Sequence, residues 1–462
     1  MRVRDGRVHR LAPPGVRPRA LPWRRPRHEL LLLALVAFAA LSPVYVVSAQ
    51  DVSHFCLTRA IAVGELKIDE CGGDVLDRSS YNGHSYSNKA PGMSLLAVPS
   101  AEAVRLRNAP SWNNVADPRL WGVRVLTSGV AFLLCVFLVG RVAEGIAPGT
   151  GGATLVAFGL GTLSFAFAAS GFDHDLTAVA GFGAFVLAWA RRPGLAGLAG
   201  GAAYLLEYEA AAVILLVALY VLLGGTRPLA RYVAGVVPGI VLSAAYSWAA
   251  FGSPGRNPRT YEVNQFPGVN PNSGVLGIHF PSAHGIRLVF VGDRGLLVVW
   301  PVVVAATTGL WLLWRRGFRA EAIVATLVTA AFVVGDCGFG DPYGGLSPGP
   351  RYLTPALPFL ALGLAPAFAR WRLPTAALTA VSLVAGMTVG LTWAASASSH
   401  YRETVWGELV RVVSQRTDSR LYGDLAKNLL TWAGPTAGVA AVAVCACAAA
   451  AYVVALARPE QS

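Results

Sequence analysis

Stretches of roughly twenty apolar residues recur along the chain from Leu30 almost to Ala457, and this repetition limits the fold more than any other feature. About 20 helical residues cross a hydrocarbon core about 30 Å thick. Inside lipid the backbone must satisfy its own polar groups, which leaves helices or closed barrels, and segments this long are helical. Hydrophobic residues make up 54% of the 462 and charged ones only 14%, too apolar a chain to hide its surface from water, so lipid is its solvent. The expected fold is all-α and integral to the membrane, with about 12 transmembrane helices. They begin near Leu30, Leu120, Ala153, Leu176, Leu195, Ala210, Tyr232, Leu296, Ala322, Tyr352, Ala376 and Thr431. Short juxtamembrane helices are expected in the longer outer loops, and no separate soluble domain fits between the segments. Residues 1–29 read as a basic cytoplasmic tail, 30–457 as one polytopic domain and 458–462 as a cytoplasmic end.

The net charge of +13 invites a nucleic-acid partner, but the first 29 residues hold nine Arg against Asp5 and Glu29, so over half of the excess is one tail. A basic tail ahead of a first membrane segment marks a cytoplasmic end and can touch anionic lipid headgroups. The segment from Leu30 to Ala49 reads as an uncleaved signal anchor rather than a secretory leader, because both its apolar core and its basic flank are long. Short inner loops are capped by Arg141, by Arg315, Arg316 and Arg319, and by Arg370 and Arg372. The long connections, 50–119, 252–295, 335–350 and 396–430, then fall outside, where function usually sits. Glu207 and Glu209 interrupt the apolar run 195–223, and two carboxylates at the bilayer centre would be expensive. A hairpin of two short helices with 204–209 as its outer crest solves this and leaves Arg191, Arg192, Arg227 and Arg231 inside. Cys56 and Cys71 share the first outer loop, where an oxidising compartment permits a disulfide, and two free thiols are the alternative.

Four outer constellations carry candidate chemistry. Gln50-Asp51-Val52-Ser53-His54 follows the first membrane segment, so Asp51 is either a base at the interface or a helix cap. The run from Tyr81 to Gly92 contains a hairpin turn at Asn82-Gly83, His84, and Lys89 ahead of an apolar stretch, where the lysine either pairs with a lipid phosphate or snorkels. Asp173-His174-Asp175 offers two carboxylates and an imidazole, an incomplete ligand set for a divalent metal ion, and Asp175 could instead cap the next helix. Gly340 to Tyr352 supplies glycines for close backbone approach, Tyr343, and the guanidinium of Arg351 beside Tyr352, while Arg294 in Gly292-Asp293-Arg294-Gly295 is a further cation.

In this order the features resemble bacterial membrane glycosyltransferases of the GT-C superfamily, near the protein O-mannosyltransferase and lipid A aminoarabinose transferase group. The matching pieces are Asp51, Tyr86-Ser87-Asn88-Lys89-Ala90-Pro91-Gly92, Phe172-Asp173-His174, Glu207-Tyr208, Phe251-Gly252-Ser253-Pro254, Asp293-Arg294-Gly295-Leu296 and Gly349-Pro350-Arg351-Tyr352, and they run from about Leu30 to Arg372. The resemblance implies an inverting transferase that takes a sugar from a polyprenyl-phosphate carrier and passes it to a glycan, lipid or protein acceptor on the outer face of a bacterial inner membrane. It implies Asp51 as general base, Asp173 and His174 as binders of acceptor or cation, and Lys89, Arg294 and Arg351 as stabilisers of the leaving phosphate. The match departs from the group's pattern in two places. Val52 stands where a second acidic residue is expected, which leaves Asp69, Glu70, Asp74 and Asp77 as alternative bases, and Glu207 replaces a lysine at the crest. The chain ends without a soluble C-terminal domain, so acceptor recognition is expected of the outer loops. The rival classes are a transporter or flippase for lipid-linked sugars, which would set polar groups at the midplane on broken helices, and a non-catalytic assembly subunit.

Overall fold

The structure, a computed structural model, describes residues 26–42, 47–71, 75–106, 117–263, 277–345 and 347–388, with a few isolated positions beside them. It is mostly helical. The first segment is α1 (Pro26–Leu41), followed by the outer helix α2 (Ala49–Ala62), a two-stranded hairpin of β1 (Arg78–Tyr81) and β2 (His84–Ser87), and α3 (Gly92–Ala103). Asn82 and Gly83 turn the hairpin with positive φ of 51° and 79°, the left-handed pair that the Asn-Gly sequence favours. The bundle continues with α4 (Pro118–Ile146), α5 (Gly151–Gly161), α6 (His174–Trp189), α7 (Pro193–Leu206), α8 (Ala211–Leu222) and α9 (Thr226–Phe251). After an outer excursion come α10 (Ala283–Val291), α11 (Val302–Arg315), α12 (Arg319–Gly338), α13 (Arg351–Arg370) and α14 (Arg372–Thr388).

Among the described residues, α4, α9, α12 and α13 are each long and apolar enough to cross a membrane, and the path 283–315 makes a fifth candidate with a 90° bend near Trp300. Five further apolar helices are shorter. Helices stand where each of the first eleven apolar segments begins, and the segment at Thr431 and most of the loop 396–430 lie outside the described residues.

The short helices set the depth of the site. Gly200 of α7 faces Ile214 of α8, and the two positions lie at similar distances on either side of Glu207, so α7 and α8 form the expected hairpin. Glu207 itself is extended, with φ −145° and ψ 133°, and a 3₁₀ turn at Tyr208–Ala210 starts the descent. Gly197 and Gly201 press on the backbone of Tyr232 and Val236, so α9 runs alongside α7 in the same direction at glycine-to-backbone contact. At 14 and 12 residues, α7 and α8 are about 21 and 18 Å long, well short of the hydrocarbon thickness. The 16-residue α6, about 24 Å, rises to the same level from Arg191 and Arg192. The crest of the hairpin and the start of α6 meet beside the connection 50–92, and the region between these three is the recess that holds the candidate site.

Candidate active site

Three side chains meet at the floor of this recess. His174, the first residue of α6, hydrogen-bonds Glu207 at the hairpin crest through Nδ1, and Asp173 Oδ1 lies 3.7 Å from the same nitrogen. Donor atoms of Asp173, His174 and Glu207 all fall within 4.8 Å of one another. The carboxylate of Asp173 reaches back to the outer helix α2: Gln50 Nε2 donates to its Oδ1 at 2.9 Å, and His54 Nε2 stands 3.5 Å from its Oδ2. The imidazole of His174 is boxed by the rings of Phe167, Phe172 and Tyr352. Two carboxylates and an imidazole suit a borderline divalent ion, and these three residues would hold it through His174 Nδ1, the nitrogen that both carboxylates face, where it would add positive charge.

Cations line the wall. Lys89 Nζ sits 2.8 Å from Asp77 Oδ2. Burial pushes the Asp77 carboxyl upward, but the Lys89 ammonium that faces and donates to it prevails and holds it below its ordinary value. Arg351 stacks over the rings of Phe172 and Tyr352 and donates to Tyr352 Oη at 3.2 Å. Its Nε is buried with no acceptor, and among the described residues no carboxylate lies within ion-pair distance of it. Arg259, on the 3₁₀ turn Pro258–Tyr261, donates to Glu209 Oε1 at 2.8 Å, and Asn88 Nδ2 donates to Glu262 at 2.8 Å, which brings the outer loop after α9 over the recess. Burial raises the Glu262 carboxyl above its ordinary value, against the opposing charge of Lys89.

Asp51 has a different setting. It occupies the third position of α2 and closes a capping box with Ser48, and it also accepts from Arg124 Nε at 2.9 Å while Arg124 Nη2 lies 2.8 Å from its other oxygen. Both side chains are fully buried. A Cβ on Gly171 would collide with the Asp51 carboxylate, so the turn leading to Asp173 is fitted against this pair. Asp51 thus ties the start of α2 to α4 and fixes Gln50 and His54, its neighbours on the same helix, over Asp173.

The remaining candidates divide. His84 lies at the exposed hairpin, bonded to Asp69 at 2.8 Å and Lys67 at 3.2 Å, and joins none of the floor residues. Asp175 accepts from Ser164 inside the bundle, so it neither caps α6 nor pairs with Asp173 as a metal ligand; residues two apart on a helix point to different sides. Arg294 donates to the carbonyls of Gly345 and Ser347 at 3.2 and 3.1 Å and lies over the Tyr343 ring, whose hydroxyl donates to Leu288. These two residues therefore hold the loop 340–350 that presents Arg351. Of the alternative first-loop carboxylates, Asp77 belongs to the recess, Asp69 pairs with the exposed His84, Glu70 is exposed beside Arg59, and Asp74 lies outside the described residues.

Sequence reasoning passed over Arg124, Arg259 and Asp336. A charge inside an otherwise apolar membrane segment is a signal that would have found Arg124 and, at the end of its segment, Asp336. Arg259 sits in an ordinary polar loop and carries no such mark.

No protein-family model and no curated protein matches the sequence. Solved structures do match in shape. ArnT from Cupriavidus metallidurans, crystallised with undecaprenyl phosphate, superposes with a TM-score of 0.54 at 15% identity, over 93% of this chain and 76% of that one. The chain shares the fold of ArnT. An oligosaccharyltransferase from Archaeoglobus fulgidus in its apo form gives a TM-score of 0.46 at 13% identity, over 92% of this chain and 56% of its own. AglB from the same organism, in complex with an inhibitory peptide and a dolichol-phosphate, gives 0.41 at 13% identity, over 93% and 56%. The chain thus spans about three quarters of ArnT and a little over half of the larger enzymes. Within this fold the recess described above lies between the connection 50–92, the start of α6 and the start of α13.

Proposed function

We propose that the chain is a membrane glycosyltransferase that moves a sugar from a polyprenyl-phosphate carrier to an acceptor hydroxyl with inversion. The observation that carries this reading is Arg351, a largely enclosed guanidinium that forms no carboxylate ion pair among the described residues, placed with Lys89 near the Asp173–His174–Glu207 group. Lipid is the environment in which an amphiphilic phosphate would present its headgroup. The fold likeness to ArnT, whose crystal holds undecaprenyl phosphate, supports the same class of donor.

In this reading Arg351 and Lys89 bind the carrier phosphate and stabilise it as it leaves with the bonding electron pair. The acceptor oxygen attacks the anomeric carbon from the opposite side, and its proton passes to a carboxylate. Asp51 is bound on both oxygens by Arg124, whereas Asp173 has no arginine or lysine ion pair among the described residues and faces His54 at 3.5 Å, so the proton goes to Asp173 and Asp51 positions the helix beside it. The twelve spans, with both termini cytoplasmic and the recess on the outer face of a bacterial inner membrane, belong to the same proposal. The acceptor is a glycan, lipid or protein. The polar groups gather at the outer ends of short helices rather than at a two-sided midplane gate, which weighs against a flippase.

The test is transfer of radiolabelled sugar from native polyprenyl-phosphate donors in membranes holding equal amounts of wild type, Asp173→Asn, Asp51→Asn or Arg351→Gln, with and without a chelator. Transfer by wild type, lowered about 10²-fold or more by Asp173→Asn and by Arg351→Gln, is expected. Full activity of Asp173→Asn with loss in a well-folded Asp51→Asn would move the base to Asp51. Absence of transfer by the wild type, together with movement of lipid-linked sugar between leaflets, would establish the flippase. Loss of activity on chelation, restored by added metal, would place an ion on Asp173, His174 and Glu207.

A further inference from the structure

Asn88 is 3% exposed, and the two ends of its amide have unlike surroundings. Nδ2 donates to Glu262 Oε1 at 2.8 Å, whereas Oδ1 is buried with no donor. Turning the amide over would set its oxygen against the carboxylate, so the oxygen is the free end. The Glu262 carboxylate receives no other hydrogen bond and forms no ion pair among the described residues. What this pair has left to offer is therefore acceptors alone. A phosphate brings only acceptors of its own and does not match them, whereas a ligand that donates O–H groups does.

The pair is held from several sides. Ser79 Oγ donates to the Pro258 carbonyl at 2.6 Å and the Val263 amide to the Arg78 carbonyl at 3.0 Å, which fix the turn carrying Glu262 on the edge of β1. Arg259 of the same turn donates to Glu209 at the hairpin crest at 2.8 Å, and the Ser53–Ser87 contact of 2.8 Å ties the residue before Asn88 to α2. The turn thus joins the crest to the stretch 86–89. Asn88 stands one residue, about 3.8 Å along the chain, from Lys89, whose ammonium meets Asp77.

We propose that Asn88 and Glu262 form the subsite for the sugar of the donor, accepting hydrogen bonds from neighbouring hydroxyls of the ring carried on the carrier phosphate. This inference rests on the reading that Lys89 and Arg351 bind that phosphate, and it adds a specificity-determining pair. A sugar that lacks a hydroxyl at this place leaves the Asn88 oxygen or the Glu262 carboxylate bare and is rejected for that reason. Hydroxyls of the acceptor substrate have the same chemistry, and the closeness of Asn88 to Lys89 favours the donor.

The experiment uses membranes holding equal amounts of full-length wild type, Asn88→Ala, Glu262→Gln or Arg351→Gln. Native polyprenyl-phosphate donors carry radiolabelled sugar, and undecaprenyl phosphate serves as a competitor without sugar. Asn88→Ala and Glu262→Gln should each lower kcat/KM for the donor about tenfold or more. The inhibition constant of undecaprenyl phosphate and the KM of the acceptor substrate should stay within about twofold of wild type, a split that a merely structural role would not produce. Unchanged kcat/KM for the donor would overturn the proposal, and so would equal losses for donor and competitor, which would assign the pair to support of the phosphate site. A raised KM for the acceptor substrate with the donor unaffected would overturn the assignment to the donor sugar. Glu262→Gln keeps the shape of the side chain and its bond from Asn88, so it carries the test if Asn88→Ala does not accumulate. Failure of the underlying reading has a different mark, namely no transfer by the wild type or full transfer by Arg351→Gln.

Discussion

Arg124 and Asp51 meet where neither has access to water, and their charges offset each other there. Breaking such a pair from one side leaves a bare buried charge and costs about 3–5 kcal/mol, whereas replacing both with apolar residues of similar volume is far milder. Arg124→Gln should therefore lower the thermal midpoint in detergent strongly, and Arg124→Met combined with Asp51→Leu should recover much of the loss; equal damage from the double variant would contradict the pairing argument. Asp77 makes a separable prediction. Its carboxyl is depressed in the fold against a value of about 3.9 in the unfolded chain, so its stabilisation is complete above that value and disappears as pH falls through the folded one. Stability followed from pH 6 down to 2 should decline, and Asp77→Asn should flatten part of the decline while costing about 2 kcal/mol at neutral pH through the stranded Lys89.

At the level of elements, the first outer loop is built as a strap. A Cys56–Cys71 disulfide ties the body of α2 to the turn before the hairpin, deciding a choice that the cysteine spacing left open. The strap also holds α2 through the Ser53–Ser87 hydroxyl contact of 2.8 Å and the His54–Ser94 contact. A closed loop of this size contributes about 3 kcal/mol. Cys56→Ala with Cys71→Ala should lower the thermal midpoint of protein that has never been reduced and should speed proteolytic cleavage in the first outer loop; an unchanged digestion pattern would show that the other contacts suffice. Helix positions, the hairpin at Asn82-Gly83 and the crest at Glu207 were readable beforehand, because apolar length, turn chemistry and the cost of carboxylates in lipid are local properties of sequence. The bend near Trp300 was missed, although Pro301, which cannot continue a helix, stands at the break and marks it.

For the molecule as a whole, the order of short motifs carried the fold, and the shape match to ArnT agrees with it. The division of labour among those motifs was not legible. His84 and Lys89 are five residues apart in the chain, yet one faces outward on the hairpin and the other lines the recess, because strand alternation and the turn into α3 separate them. Asp173 and Asp175 part company by helix geometry, and Arg294 serves the loop that presents Arg351 rather than standing beside it as a second free cation. The short hairpin of α7 and α8 has a consequence for the surrounding lipid. A flank about 20 Å tall beside a layer about 30 Å deep forces the outer leaflet to dip or water to descend along that side. A local thinning of this kind brings water down to the Asp173–His174–Glu207 group, and under the proposed function it lets a long-tailed carrier present its headgroup there while the tail stays in lipid.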